Sequence, residues 1–280
     1  MFVHGGVSGV ARAALPPLSH ALADALGAAT ALDAVERAVM ALEDDPELNA
    51  GYGSVLDRAG GLDLDAGIAD GSTGRAAGVA HVTVRHPISL ARKVLEETPH
   101  VLLTGSGAME FAAGMERIED TTPAQRARWE EARSRGHLAL DRYGKPEHVD
   151  TVGAVALDAG GRLAAGSSTG GVFGMMPGRV GDSPIFGAGM YASEVVAVVG
   201  TGVGELFLES LACFRVAAGV LDGLDPQAAC EMVIADLGQR SPLPAGLLAL
   251  GRDGALGAAF RGGSWAVEGP DGPVDPLRMP

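Results

Sequence analysis

The stretch Thr30–Gly51, TALDAVERAVMALEDDPELNAG, places Leu32, Val35, Val39 and Leu42 at helical spacing. Thr30 stands where a helix cap belongs, with Asp33 placed to answer it, and Pro46 ends the run. Elsewhere the apolar positions alternate. Phe2–Gly6 reads as a short strand entering a glycine turn, and a proline break at Pro16-Pro17 leads into small-residue helical sequence. GSVLDRAGGLDLDAGIADG reads as a hairpin turning at Ala59–Gly61. Gly78–Val84 is a strand with Ala80, Val82 and Val84 on one face and Val79, His81 and Thr83 on the other. After His86-Pro87 come a helix, ISLARKVLEET, a strand at 101–104 and a short helix, GAMEFAAG. Residues 116–150 break the pattern: charge of both signs is dense and apolar periodicity is poor, as in a flexible linker or a solvated helix. Order resumes at Thr151 with a hairpin, TVGAVALD–AGG–RLAAGSSTGG, and a second of like design spans Gly246–Phe260. Between them lie a glycine-rich loop (Gly170–Gly189), a strand (Val195–Val199) and helices near Gly204–Leu221 and Pro226–Leu237. Hairpins dominate, so the α/β fold predicted is two mainly antiparallel sheets between helical layers, a four-layer αββα sandwich.

Composition narrows the function classes. A chain of 280 residues that is 47% apolar can bury a substantial core, as one large domain or two small ones. Its net charge of −14 disfavours nucleic acid and anionic membrane as partners. Cys213 and Cys230 lie in apolar, helix-like sequence and read as buried free thiols, which with the absence of a basic-then-apolar leader suggests the cytoplasm.

Most catalytic motifs are missing. GTGVGE (Gly200–Glu205) and GAGMYA (Gly187–Ala192) lack the Lys-Ser/Thr of a phosphate loop and the early βαβ setting of a dinucleotide fold. The seven histidines show no metal-binding spacing, and no GxSxG elbow is present. Threonine remains. A threonine at a chain terminus can attack a carbonyl with its own α-amine as base, because that amine titrates at about 7.7–8.0. Thr151 opens a strand directly after the charged run, so cleavage between Asp150 and Thr151 would create such a terminus. A strand-initiating threonine taken alone is more often structural. Arg179 and Asp182, three apart in a glycine-flanked loop, suit a zwitterionic amino-acid head, or else pair with each other at the surface.

The block TVGAVALDAGGRLAAGSSTGGVFGMMPGRVGDSPIFGAGMYA resembles the signature of plant-type L-asparaginases and isoaspartyl peptidases, N-terminal-nucleophile hydrolases related to aspartylglucosaminidases. VHGGVSG, ALDAVERAVMALEDDPELNAGYGSVL, LDAGIADG and GVAHVTVRHPISLARKV agree with it. The resemblance implies one domain over 1–280, processed into an α-subunit 1–150 and a β-subunit 151–280 that pair as (αβ)₂. It implies that Thr151 is the nucleophile, assisted by Thr169, that Thr201 and Gly202 form the oxyanion hole, that Arg179 and Asp182 bind the substrate's α-carboxylate and α-ammonium, and that Asn49 contacts the nucleophile region. No catalytic cofactor is implied, but a structural sodium is, held by backbone carbonyls of Leu42, Glu43, Asp45, Leu48, Ala50 and Tyr52. The substrates implied are L-asparagine and β-aspartyl dipeptides. The alternatives are an aspartylglucosaminidase-like amidase and an uncleaved, non-catalytic amino-acid-binding homologue. The sequence departs from the family in HGGVSG, where HGGAG is usual, in Leu48, where an aromatic is common, and in RGGSWA (Arg261–Ala266), where an NTEGM-like stretch is usual.

Overall fold

The computed structural model describes residues 1–8, 17–138 and 151–279. The chain runs β1 (Phe2–Ser8), α1 (Ser19–Ala25), α2 (Ala31–Asp44), β2 (Leu64–Asp70), β3 (Arg75–Val82), α3 (Pro87–Glu97), β4 (Leu102–Thr104), α4 (Gly105–Phe111) and α5 (Pro123–Ser134). It continues through β5 (Val152–Leu157), β6 (Leu163–Thr169), β7 (Met190–Ala192), β8 (Val196–Gly202), α6 (Gly204–Ser210), α7 (Ala212–Leu221), α8 (Pro226–Arg240), β9 (Ala245–Gly251), β10 (Leu256–Arg261), β11 (Ser264–Gly269), β12 (Gly272–Pro273) and β13 (Leu277–Arg278).

Period-two alternation sorts these strands into layers. The larger sheet has eight strands in the order β12-β11-β1-β5-β6-β2-β3-β4, and the smaller has five in the order β13-β10-β9-β8-β7. Only the β3–β4 and β10–β13 pairs are parallel among the described residues. Val152, Ala154 and Ala156 of β5 and Ala164 of β6 pack toward α1, α2 and α3. Val155, Leu163 and Ala165, on the opposite faces of the same strands, pack against Ala197, Val199 and Leu248 of the second sheet. Val196 and Val198 turn the other way, onto α7 and α8. Helices therefore cover the outer face of each sheet, and the predicted αββα sandwich is present. The Thr30 cap is present too: its side-chain oxygen accepts the Asp33 N–H at 3.1 Å.

Four local expectations are corrected. The hairpin does not turn at Ala59–Gly61: β2 and β3 pair across Gly71–Gly74, while Asp57 Oδ1 accepts the N–H groups of Ala59 and Gly61 and closes a separate turn. The charged stretch contains a packed element. Helix α5, capped by Thr122, buries Trp129, whose Nε1 donates to the Asp57 carbonyl at 2.7 Å. The single helix expected over Gly204–Leu221 is two, because Leu211 adopts the left-handed region at φ 51°. RGGSWA includes a strand unforeseen as such, β11, which pairs antiparallel with β1.

Candidate active site

Two threonines meet at the start of the β5–β6 hairpin, and a third, Thr201, faces the gap between the sheets from β8. Thr151 immediately precedes Val152, which pairs with Ser168; Thr169 is therefore its cross-strand neighbour. The Thr151 hydroxyl donates to Thr169 Oγ1 at 3.2 Å, and Thr169 Oγ1 also accepts the Gly171 N–H at 3.1 Å. Thr201, at the end of β8, shares the inward face with Ala197 and Val199; it is fully buried, and its Oγ1 accepts the Val7 N–H at 3.4 Å. Gly202 follows at φ 154°, and a Cβ there would strike the Phe207 ring at 2.7 Å, so only glycine fits at this position. Asp150 lies outside the described residues, and with it the bond to Thr151.

His4 lies against β5: a Cβ on Gly153 would lie 2.5 Å from its Nε2. The ring is fully buried, neither nitrogen has a hydrogen-bond partner, and burial pushes its pKa down to about 3. Burial therefore favours the neutral ring.

Arg179 and Asp182 are brought together, though not as a pair. Gly204 separates them: a Cβ on it would lie 2.7 Å from Arg179 Nη2 and 2.8 Å from Asp182 Oδ1. The guanidinium is instead gripped by Glu205 through two 2.9 Å hydrogen bonds, from Nε and Nη2. Burial opposes the Arg179 charge, but Glu205 more than offsets it and the pKa is raised; Glu205 itself is held below the ordinary carboxylate range by Arg179 despite its own burial. Asp182 is buried with Oδ2 unpartnered, and desolvation raises its pKa to about 7 even though Arg179 pulls it down. This loop thus sets a held cation beside a carboxyl with an unpartnered oxygen, a complement to a group carrying one carboxylate and one ammonium. Glu205 was missed in the sequence reading. The signal available was its place as the last residue of GTGVGE, in the first turn of α6.

Asn49 reaches the nucleophile region indirectly. Its Nδ2 donates to the Gly171 carbonyl at 2.8 Å, and its backbone carbonyl accepts the Gly170 N–H at 3.0 Å, fixing the turn after Thr169. Carbonyl oxygens crowd two glycines in the loop after α2. A Cβ on Gly53 would touch that of Leu48 and lie 2.8 Å from that of Asp45; one on Gly51 would touch that of Glu43. Around Gly53 the three nearest atoms are all carbonyl oxygens, of Leu48, Asp45 and Pro46, a donor type that fits a hard cation.

A family model described as asparaginase matches residues 10–268. An isoaspartyl peptidase of Salmonella typhimurium is 42% identical over 92% of this chain and 90% of its own length. A plant-type L-asparaginase of Pyrococcus abyssi is 42% identical over 84% of this chain and 83% of its own. An isoaspartyl peptidase/L-asparaginase of Rattus norvegicus is 47% identical over 68% of this chain and 60% of its own.

Proposed function

Since the chain belongs to the asparaginase family, we propose that it is an autoprocessing amidohydrolase that cleaves the side-chain amide of L-asparagine and the β-linked bond of isoaspartyl dipeptides. The observation that carries this reading is the hydroxyl pair Thr151–Thr169, with Thr169 holding the Gly171 N–H and Arg179 Nη1 3.7 Å from where a Cβ on Gly171 would stand.

In this reading the Thr151 hydroxyl first attacks the Asp150 carbonyl. The peptide bond breaks as the Thr151 nitrogen takes a proton, and water hydrolyses the ester, leaving a free α-amine. In each turnover that amine accepts the hydroxyl proton while Thr151 Oγ1 attacks the substrate's side-chain carbonyl. The Thr201 hydroxyl and Gly202 N–H donate to the oxyanion, ammonia or the leaving amino acid departs with a proton, and water releases aspartate from the ester. Thr169, already hydrogen-bonded to Thr151, orients the nucleophile. Arg179 takes the α-carboxylate and Asp182 the α-ammonium, so one head-group site serves both substrates.

The test uses purified full-length protein. Mass spectrometry is expected to show fragments 1–150 and 151–280, with ammonia from asparagine and free amino acid from a β-aspartyl dipeptide. A chain that stays intact and releases neither product refutes the reading. Activity confined to glycosylated asparagine would replace it with the aspartylglucosaminidase-like one.

We also propose that the Gly51–Gly53 cradle holds sodium through backbone carbonyls, those of Leu42, Glu43, Asp45, Leu48, Ala50 and Tyr52 being the candidate set. Its role is structural, keeping the loop that carries Asn49 in place. Sodium chloride is expected to raise Tm above choline chloride at equal ionic strength, because a ion bound only by the native state adds stability. Equal values in both salts would remove the proposal. On the resemblance, the assembly is (αβ)₂ in the cytoplasm, open to light scattering and cell fractionation; among the described residues no helix is long and apolar enough to cross a membrane.

A further inference from the structure

The loop that carries Arg179 and Asp182 rests on the β2–β3 hairpin, and three side chains there belong to no step above. Asp63 Oδ2 accepts the Gly178 N–H at 3.0 Å. Asp65 Oδ2 accepts the Gly181 N–H at 3.2 Å, and its Oδ1 accepts the His81 N–H at 3.0 Å. The His81 ring closes the group: Nδ1 lies 2.6 Å from Asp63 Oδ1.

The hairpin is deformed to make this possible. Leu64 pairs with Val82 but Ala66 pairs with Val79, so β3 has two residues, one of them extra, opposite Asp65. His81 occupies that bulge at φ 57°, a left-handed conformation that a residue with a Cβ adopts at a cost. The bulge presents the His81 N–H to Asp65 and its ring to Asp63. Farther along the hairpin the loop lies directly on two glycines: a Cβ on Gly67 would sit 2.6 Å from the Ser183 carbonyl, and one on Gly78 would strike that of Pro184.

We propose that Asp63, Asp65 and His81 are positioning residues that set the spacing of Arg179 and Asp182 by holding the backbone at Gly178 and Gly181. Gly178 directly precedes Arg179, and Gly181 directly precedes Asp182. Each head-group side chain therefore follows a peptide N–H fixed by its own carboxylate. Asp65 is fully buried and both its oxygens are used, so neither N–H can be given up without leaving a buried group unpaired. This inference rests on the reading of Arg179 and Asp182 as the head-group site.

The chemistry of the three positions separates the variants. Asp63→Ala loses the acceptor for Gly178. Asp63→Asn keeps one, with its amide turned toward the His81 ring. Asp65→Asn keeps the shape but offers one oxygen to two N–H groups. Asp63→Ala and Asp65→Asn are expected to raise KM about tenfold for asparagine and for a β-aspartyl dipeptide alike, with kcat within about twofold of wild type. The rise is parallel because the two substrates share a head and differ only in the leaving group. Asp63→Asn is expected to restore KM to within about threefold of wild type. Hydrogen exchange of the peptide covering Gly178–Asp182 should quicken in the two impaired variants and not in Asp63→Asn. Unchanged KM in folded Asp63→Ala and Asp65→Asn overturns the inference, as does a loss confined to kcat. If the wild-type protein hydrolyses neither substrate, the functional reading falls, and the exchange rates alone then decide the positioning role: unchanged rates in both impaired variants overturn it.

Discussion

Thr151→Ala is expected to abolish two reactions at once. The purified chain stays at its full mass, and hydrolysis of asparagine and of β-aspartyl dipeptides falls by about 10,000-fold or more, the scale seen when a nucleophile is deleted from a unit that works together. The substitution removes the hydroxyl that donates to Thr169 at 3.2 Å and little else, because Thr151 stands at the end of β5, outside the packed alternation of Val152–Leu157. Folding should survive, with Tm within a few degrees of the unprocessed wild type. Thr151→Ser retains a hydroxyl and should process and turn over slowly. A Thr151→Ala protein that still splits at 150–151, or still releases ammonia, would assign the nucleophile elsewhere.

Arg179→Ala should lower kcat/KM for both substrates by about 1,000-fold, since two charge-assisted hydrogen bonds to a carboxylate at roughly 1.5–3 kcal/mol each are lost. It should also cost stability, and the pH dependence identifies the cause. Asp65 and Asp182 carry pKa values raised by burial to about 6 and about 7, and Arg179 is a charge that pulls both down. Without it both rise further. A carboxyl whose folded pKa lies above its unfolded one favours the fold at low pH and loses that advantage as pH climbs through the folded value. Loss of the Glu205 pairing gives Arg179→Ala a Tm deficit already at pH 5, and the rise of Asp65 and Asp182 is expected to widen it through pH 6–8. Asp182→Asn should do the opposite: KM rises because the ammonium loses its counter-charge, while Tm at pH 8 holds or increases because a buried charge is gone. A pH-independent deficit in the first variant, or a lowered Tm at pH 8 in the second, would contradict this account of the pocket.

The contrast between these two residues also shows where sequence reading stops. Their proximity was legible because they are three apart in one loop. The true partner of Arg179 was not, since Glu205 lies 26 positions on and reaches it only after β7 and β8 have crossed the second sheet. Thr151 and Thr169 were legible as neighbours because a tight AGG turn fixes the register of β5 on β6. The misplaced hairpin has a tertiary cause. Asp57, Gly60 and Gly61 do make a turn, but what flanks it on one side is the Trp129 side chain of α5 rather than a strand, with the Trp129 ring 2.8 Å from where a Cβ on Gly60 would stand. The Trp129 docking site lies about seventy residues back along the chain, so local charge density described only the exposed faces of α5. The three-residue cluster under the Arg179 loop was equally hidden, because a bulge that aligns His81 with Asp63 and Asp65 depends on a shift in pairing that alternation alone does not reveal.

The order of strands in the larger sheet changes what a cut at 150–151 would leave behind. β1, from the first segment, lies between β11 and β5 of the second, while β5 and β6 lie between β1 and β2. In this sheet the two pieces are interleaved like clasped fingers, whereas the smaller sheet belongs wholly to the second. They cannot drift apart while the fold lasts, and neither alone retains the larger sheet. Before the cut, refolding is the business of a single chain and independent of dilution; after it, two chains must find each other, so recovery becomes second order in concentration. Such a cut would leave a fold whose persistence depends on how slowly it opens.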